Sequence, residues 1–453
     1  MIKPLVLALI LGVLAETHAG PTLTLTTPEK PFVTQPLAAA PSGGDSAAVA
    51  EVHPEKSLQV MRGFGGCFNE LGWTALNTLS AADREEVLKE LFSADGCNFS
   101  ICRIPIGAND YSLSWYSHDE TPGDFDLAHF SIARDEVFLI PYIRAAMAIQ
   151  PKLRLWASAW SPPSWMKTSN KYNGGTILSD EKTLTAYAGY LSRFAQAYRA
   201  QGLDLASIHV QNEPGSEQPF PSCVWSADQV AEFVGHYLGP RFAKDKPGAD
   251  IWLGALNIGD AKYSERVLSD PVAGPFIAGA GFQWDGRKAI AEIHQKFPKL
   301  PLMETESECG NGSDDWKAAA HTWELFRTYI GNGAGIYTYW NMVLDETGLS
   351  TWGWKQNALV SVLRRDHRVR YNPEFYLMKH LSHFVQPGAV FVETDGTWPD
   401  ALAFKNPDGS IVVLVANFTD KTAKPTLKIG GNTFAPELPA PSIATLVIPG
   451  SVN

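Results

Sequence analysis

Two glutamates stand where apolar, strand-like runs end. Glu213 follows Ser207-Ile208-His209-Val210-Gln211-Asn212, and Glu306 follows Leu300-Pro301-Leu302-Met303-Glu304-Thr305. In a barrel of alternating strands and helices, the carboxyl ends of the strands form the mouth where chemistry is done. Two carboxyl groups meeting there can divide into an acid and a nucleophile, the pairing that cuts glycosidic bonds. The acid must protonate a leaving oxygen and later take a proton from water, so its pKa must sit well above that of a free Glu. Asn212 offers an amide to a sugar 2-hydroxyl, a contact that strengthens in the transition state. The competing reading of Asn212-Glu213-Pro214 is a helix start, with Asn as cap and Glu-Pro in the first turn.

The second segment holds three acids, Glu304, Glu306 and Glu308. On an extended strand all three point the same way. Glu304 lies too deep and Glu308 falls in the loop with Cys309 and Gly310, which leaves Glu306 as the reacting group. Pairing with Arg or Lys is expected of at least Glu304. If Glu306 is the nucleophile and Glu213 the acid/base, a retaining reaction requires their carboxyl groups about 5–5.5 Å apart.

The elements that must position these groups follow from the chain's texture. Its 453 residues allow a full barrel and one smaller domain, and 45% hydrophobic with 19% charged residues is ordinary globular composition. From about Gln59, strands alternate with helices, as in a parallel α/β fold. Strands are expected at 100–105, 153–158, 208–211, 251–254, 302–305 and 336–340, with helices at 184–198 and 227–238 between them. Beyond His383 the helices stop, and Asn406-Pro407-Asp408-Gly409 reads as a hairpin turn in an all-β module. Thr22–Thr26 reads as a short strand, and Pro28–Ala48, rich in Pro, Ala and Ser, as irregular linker.

A net charge of −11 argues against nucleic acid or anionic membranes as main partners, though not against a neutral polymer. Fourteen Trp residues suit stacking on sugar rings or filling a large core. Lys3, the apolar run Leu5–Leu14 and Thr17-His18-Ala19 read as a secretory leader cleaved after Ala19, too short to span a bilayer. That points to a secreted protein with no integral membrane segment after cleavage. Five Cys leave at least one unpaired, and three tripeptides beginning at Asn98, Asn311 and Asn417 match the N-glycosylation pattern. No Cys/His cluster, His-x-x-x-His pair or Gly-x-Ser-x-Gly appears, so neither a metal nor another cofactor is expected.

Taken together, several segments resemble glycoside hydrolase family 30, which includes glucosylceramidase and endo-β-1,6-glucanases. They are Gly63-Phe64-Gly65-Gly66, a glycine turn by its composition, then Ala159-Trp160-Ser161-Pro162-Pro163-Ser164-Trp165-Met166-Lys167-Thr168, Gln211-Asn212-Glu213-Pro214, Thr305-Glu306 and Tyr339-Trp340-Asn341. The resemblance implies a (β/α)8 TIM barrel with an attached C-terminal β-sandwich built from both chain termini. The organisation becomes a signal peptide over 1–19, an N-terminal strand and linker over 20–58, a catalytic barrel over 59–383 and a sandwich over 384–453. It further implies Glu213 as acid/base, Glu306 as nucleophile, and Asn212 as the 2-hydroxyl contact. Asp110, Trp160 and Trp340 would hold the non-reducing sugar, and Asn357 would border the leaving-group side. Where glucosylceramidase carries a His-Trp pair, this chain has Gln283-Trp284, a non-titrating amide beside the nucleophile that bears on ceramide preference.

The resulting expectation is hydrolysis of a β-D-glucoside by double displacement, on a carbohydrate or a glycolipid. A xylan-cleaving enzyme of the same family, or a carbohydrate-binding barrel without chemistry, are the alternatives. An open cleft lined by Trp225, Trp284, Trp352 and Trp354 would suit a polymer.

Overall fold

The computed structural model describes residues 20–40 and 48–450, so the leader expected at 1–19 lies outside the described residues. Strands β1 (Thr22–Thr26), β2 (Val33–Pro36) and β3 (Val49–Val60) come first. The stretch expected to be irregular after Pro28 therefore contains a strand: β2 pairs antiparallel with β1, matching Leu25 with Val33. Eight parallel strands follow. They are β4 (Gly63–Cys67), β5 (Ile101–Ile106), β6 (Arg154–Ala159), β7 (Leu205–His209), β8 (Asp250–Leu256), β9 (Ile277–Gln283), β10 (Leu302–Glu306) and β11 (Ala334–Asn341). They close into a barrel in chain order, β11 pairing back onto β4.

Each barrel strand is covered on both faces, which is why β5, β10 and β11 are buried at every position instead of alternating. Helices wrap the outside, and each buries one apolar stripe. The longest, Glu181–Ala200, starts where the Asp180 side chain accepts from the Thr183 N–H, and it buries Leu184, Tyr187, Leu191, Phe194 and Tyr198. The helix expected over 227–238 is α-helical over Ala227–Phe233, then widens into a π turn over Val234–Leu238. No helix among the described residues is long and apolar enough to cross a membrane.

Two barrel strands escape the sequence pattern, for one physical reason. The segment 63–66, which reads as a glycine turn, is β4, and β9 is built largely from Ala and Gly. A methyl group added to Gly65 would overlap the Ile101 carbonyl oxygen, so the backbones of β4 and β5 approach too closely for any side chain. Gly279 lies against the Trp252 ring and Gly281 against Thr305 and His209. Small residues on these strands make room for large ones on their neighbours. The β-branched signature of a strand is absent where the packing forbids it.

Three short strands, β12 (Val343–Asp345), β13 (Val360–Leu363) and β14 (Arg368–Tyr371), follow the barrel. The chain then forms β15 (Val390–Gly396), β16 (Ala401–Lys405), β17 (Ile411–Asn417), β18 (Thr426–Ile429), β19 (Asn432–Phe434) and β20 (Ser442–Ile448). With β1–β3 these make a nine-stranded sheet in the order β19-β18-β3-β15-β16-β17-β20-β1-β2. Both termini meet in it, as β1 pairs along β20 from Thr22–Val447 to Thr26–Ile443. The sheet has its own core around Leu23, Val52, Val413, Phe434 and Leu446. His380, on the last helix of the barrel (Pro373–Ser382), reaches this sheet and bonds the hydroxyls of Thr26 and Thr445, each at 2.8 Å.

All five cysteines are unpaired and buried. Asn417 is 1% exposed, and its amide nitrogen donates to the carbonyls of Lys421 and Leu438, so its acceptor-like tripeptide is spent on structure. Gly65→Ala is expected to destabilise the fold by about 1–3 kcal/mol through overpacking at β4/β5. Denaturant unfolding measures this, and a wild-type midpoint would show that the two strands can separate without cost.

Candidate active site

The site is assembled at the carboxyl ends of β5 to β11, and its centre is a residue the motifs did not single out. Arg103, in the middle of β5, is fully buried. Its Nε donates to Ser158 Oγ at 2.9 Å, and its Nη1 to Glu306 Oε2 at 2.7 Å and to the Thr305 carbonyl at 3.2 Å. Its Nη2 donates to Asn212 Oδ1 at 2.6 Å. The guanidinium also lies over the Trp160 ring, 4.3 Å from its centroid. A guanidinium is planar and always charged, so one side chain fixes groups from three strand ends at once. The signal was a lone charge inside Ile101-Cys102-Arg103-Ile104-Pro105-Ile106, legible as an anomaly but without a partner until the fold supplied one.

Around Arg103 the two glutamates take different environments. Three donors converge on Glu306: Arg103 Nη1, Gln283 Nε2 at 3.2 Å and Trp284 Nε1 at 3.0 Å. Glu213 has one neutral donor, Gln218 Nε2 at 3.0 Å. Burial first, and then the charge of Glu306, push the Glu213 carboxyl up to about 7. Glu213 also sits in the left-handed region with φ 51°, held by its N–H to the Ala255 carbonyl at 2.9 Å. No helix starts there, so the capped-helix reading of Asn212-Glu213-Pro214 is excluded. Trp284 shares this backbone conformation at φ 48°. Such conformations cost energy in residues other than Gly and persist where the surroundings impose them.

Asn212 accepts at Oδ1 from both Arg103 and Gln283 Nε2, the latter at 3.1 Å, which fixes the amide flip and turns the nitrogen away from both. Asp110 lines the same cleft, and burial followed by the Glu306 charge raises its carboxyl well above the usual range. The cleft, about 220 Å³, is lined by Asp110, Trp160, Asn212, Glu213, Trp284 and Glu306. Gln218, Phe220, Trp354 and Gln356 complete its wall. Phe220 packs on Trp354 with centroids 5.0 Å apart. Neither Gln218 nor Phe220 was marked by any local pattern.

Four other expected residues, Trp340, Gln283, Asn357 and Trp225, are buried. Trp340 stacks on Trp160 at 5.5 Å and meets Tyr111 edge-on, and its buried Nε1 has no hydrogen-bond partner among the described residues. Gln283 is wholly buried and lies beside Glu306 as expected, donating to both Glu306 and Asn212. Asn357 is also wholly buried. It accepts from Gly312 N at 2.7 Å and donates to Glu374 at 2.8 Å, tying the loop after β10 to a helix, while its neighbour Gln356 reaches the cleft. Trp225 is core, stacked with Tyr187 and bonded through Nε1 to Gln211.

Of the two acids flanking Glu306, Glu308 and not Glu304 makes ion pairs, with Arg287 and His321. Glu304 is sealed inside the barrel, where Oε2 accepts from Thr338 N at 2.8 Å and burial raises its carboxyl well above the usual range. The interior offers Glu304 no cation at its own depth, because Arg103 is committed one layer higher. Among the described residues, His53, Glu393 and Asp395 on the sandwich bring metal-capable atoms within 4.8 Å of one another, but Lys56 already pairs with Glu393 at 2.8 Å.

An eight-stranded parallel barrel with two unlike carboxyl groups in its mouth, joined to a β-sandwich, defines a glycoside hydrolase architecture. Residues 61–385 match the model of the glycosyl hydrolase family 30 TIM-barrel domain, and residues 388–446 match that family's β-sandwich domain. The chain belongs to glycosyl hydrolase family 30, and so to the O-glycosyl hydrolases. It is 30% identical to a putative glucosylceramidase 1 of Caenorhabditis elegans over 81% of this chain and 75% of the relative. It is 26% identical to an endo-1,6-β-D-glucanase of Aspergillus fumigatus over 87% of this chain and 86% of the relative. Among solved structures, the endo-β-1,6-glucanase BT3312 superposes with a TM-score of 0.85 at 25% identity, covering 95% of this chain and all of the other.

Arg103→Met should cost about 3–5 kcal/mol in unfolding free energy, because it leaves the buried Glu306 carboxylate without its cation. Arg364→Met, which breaks the half-exposed pair with Glu346, should cost less than about 1 kcal/mol. Equal losses in denaturant unfolding would show that Arg103 does not carry this load.

Proposed function

We propose that the protein hydrolyses β-D-glucosidic bonds with retention, with Glu306 as nucleophile and Glu213 as acid/base. The observation that carries this reading is the asymmetry of the two carboxyl groups. Glu306 is held by three donors that orient it and match its negative charge. Glu213 keeps its proton near neutrality because it is buried beside that charge.

In the first step Glu306 attacks the anomeric carbon while Glu213 gives its proton to the departing oxygen. In the second, Glu213 takes a proton from the incoming water, which displaces Glu306. Asn212, fixed by Arg103 and Gln283, presents its amide nitrogen to the 2-hydroxyl, and Asp110 and Trp160 bound the sugar. The names of the relatives, glucosylceramidase and endo-1,6-glucanase, support glucose at this position over xylose. A carbohydrate-binding barrel without chemistry is not favoured, since both carboxyl groups and their donors are in place. Export through the leader-like residues 1–19 belongs to the same proposal.

Two measurements test the assignment. Glu306→Gly should abolish turnover, and azide should restore it on an activated aryl β-glucoside, yielding the α-glucosyl azide. Glu213→Gln should slow cleavage of an unactivated glucoside by about 10²–10⁴-fold. Rescue appearing in Glu308→Gly instead would move the nucleophile. In the wild type, kcat/KM should fall as pH rises through about 7, because Glu213 must be protonated to act as acid. A profile flat across that range would remove Glu213 from the role.

A further inference from the structure

The mouth of the barrel has two unlike halves. After β5 and beyond β11, the loops carry exposed apolar side chains: Leu113, Trp115, Phe125 and Leu349 are each 37–45% exposed. Over β7 to β10 most side chains lining the mouth are polar, Phe220 and Trp284 excepted. A groove of about 300 Å³ runs there past Ser216, Gln218, Asn257, Asp285, Arg287 and Glu308. Glu213 and Trp284 line both this groove and the cleft that holds Asp110 and Trp160, so the two spaces meet at the acid/base. Past Glu308 the hollow continues to Asp315, Lys317 and His321.

The groove's polar groups are tied to one another before anything binds. Asn257 Nδ2 donates to Ser216 Oγ at 2.6 Å, Glu308 pairs with Arg287 and His321, and Asp285 pairs with Lys288 at 2.7 Å. Trp284 and Ala318 are the apolar side chains among those that line the groove and its continuation. A hydrocarbon chain laid here would strip water from ion pairs and amides without replacing its hydrogen bonds. Sugar hydroxyls would replace them.

We infer that the leaving-group site of this protein is built for carbohydrate, a glycan chain of at least two further sugar units, and that Asn257 and Arg287 set that preference. The inference rests on the assignment of Glu213 as the acid, since that is what makes the adjoining groove the leaving-group side. The apolar loops lie over the opposite strands and do not form this site.

The test is kcat/KM of the full chain on ladders of β-1,6-, β-1,4- and β-1,3-linked gluco-oligosaccharides from disaccharide to pentasaccharide. Glucosylceramide in detergent micelles and an aryl β-glucoside run in parallel. On whichever ladder is cleaved, kcat/KM should rise by about tenfold or more between disaccharide and tetrasaccharide and exceed that for glucosylceramide. Asn257→Ala, and independently Arg287→Lys, which keeps the charge but loses the planar fork, should each reduce that rise severalfold relative to the aryl glucoside. A ladder without slope, a slope that both variants leave intact, or glucosylceramide as the faster substrate overturns the inference while cleavage of the aryl glucoside leaves the glucosidase reading standing. Failure on every glucoside overturns both.

Discussion

A single buried guanidinium organises this molecule. Removing Arg103 from water is costly, and it is tolerated because the carboxylate of Glu306, the amide oxygen of Asn212, the carbonyl of Thr305 and the hydroxyl of Ser158 meet its donors. Those partners come from the ends of β6, β7 and β10, so the charge can be satisfied only if the barrel closes in the observed register. Folding and site assembly are then one event. The Trp160 and Trp340 rings, which pack beneath and beside the guanidinium, keep water from competing for it.

With that cation placed, the acids around it separate by circumstance alone. Glu306 lies against it and Glu213 lies one step away with a neutral amide for company. Glu304 is deeper, and Glu308 is out in the groove with Arg287 and His321. One side-chain type thus supplies a carboxyl group held by three donors, one pushed up to about 7, one raised further in the interior and one paired in the groove. The strand's period of two put Glu304, Glu306 and Glu308 in line, and the strand's rise sets them at different depths.

The strand ends bearing Glu213 and Glu306 were legible because apolar runs stopped at acids. The hairpin at Asn406–Gly409 and the strand at Thr22 were legible because turn chemistry and alternation are local. What was hidden depends on partners distant in sequence. β4 and β9 look like turn or filler until Ile101, Trp252 and His209 are seen pressing against their glycines. Asn357 looks like a rim residue because only the fold shows Glu374 beneath it. Gln218 earns its place by reaching Glu213 from a loop that carries no periodic signal. Arg103 stood in plain view, but a buried charge declares a need without naming what meets it.

The meeting of both termini in one sheet has a consequence for biosynthesis. Strand β1 sits between β2 and β20, and β3 between β18 and β15, so strands made before the barrel have partners made after it. From Thr26 to Ser442 about four hundred residues intervene, which at ribosomal speeds of about 5–20 residues per second is on the order of a minute of waiting. Throughout that interval β1 and β3 present open edges, and the His380 clamp to Thr26 and Thr445 cannot form. Loss of β20 (Ser442–Ile448) would therefore leave β1 without its partner, and a message truncated before β20 should yield aggregate rather than a working barrel lacking its accessory sheet.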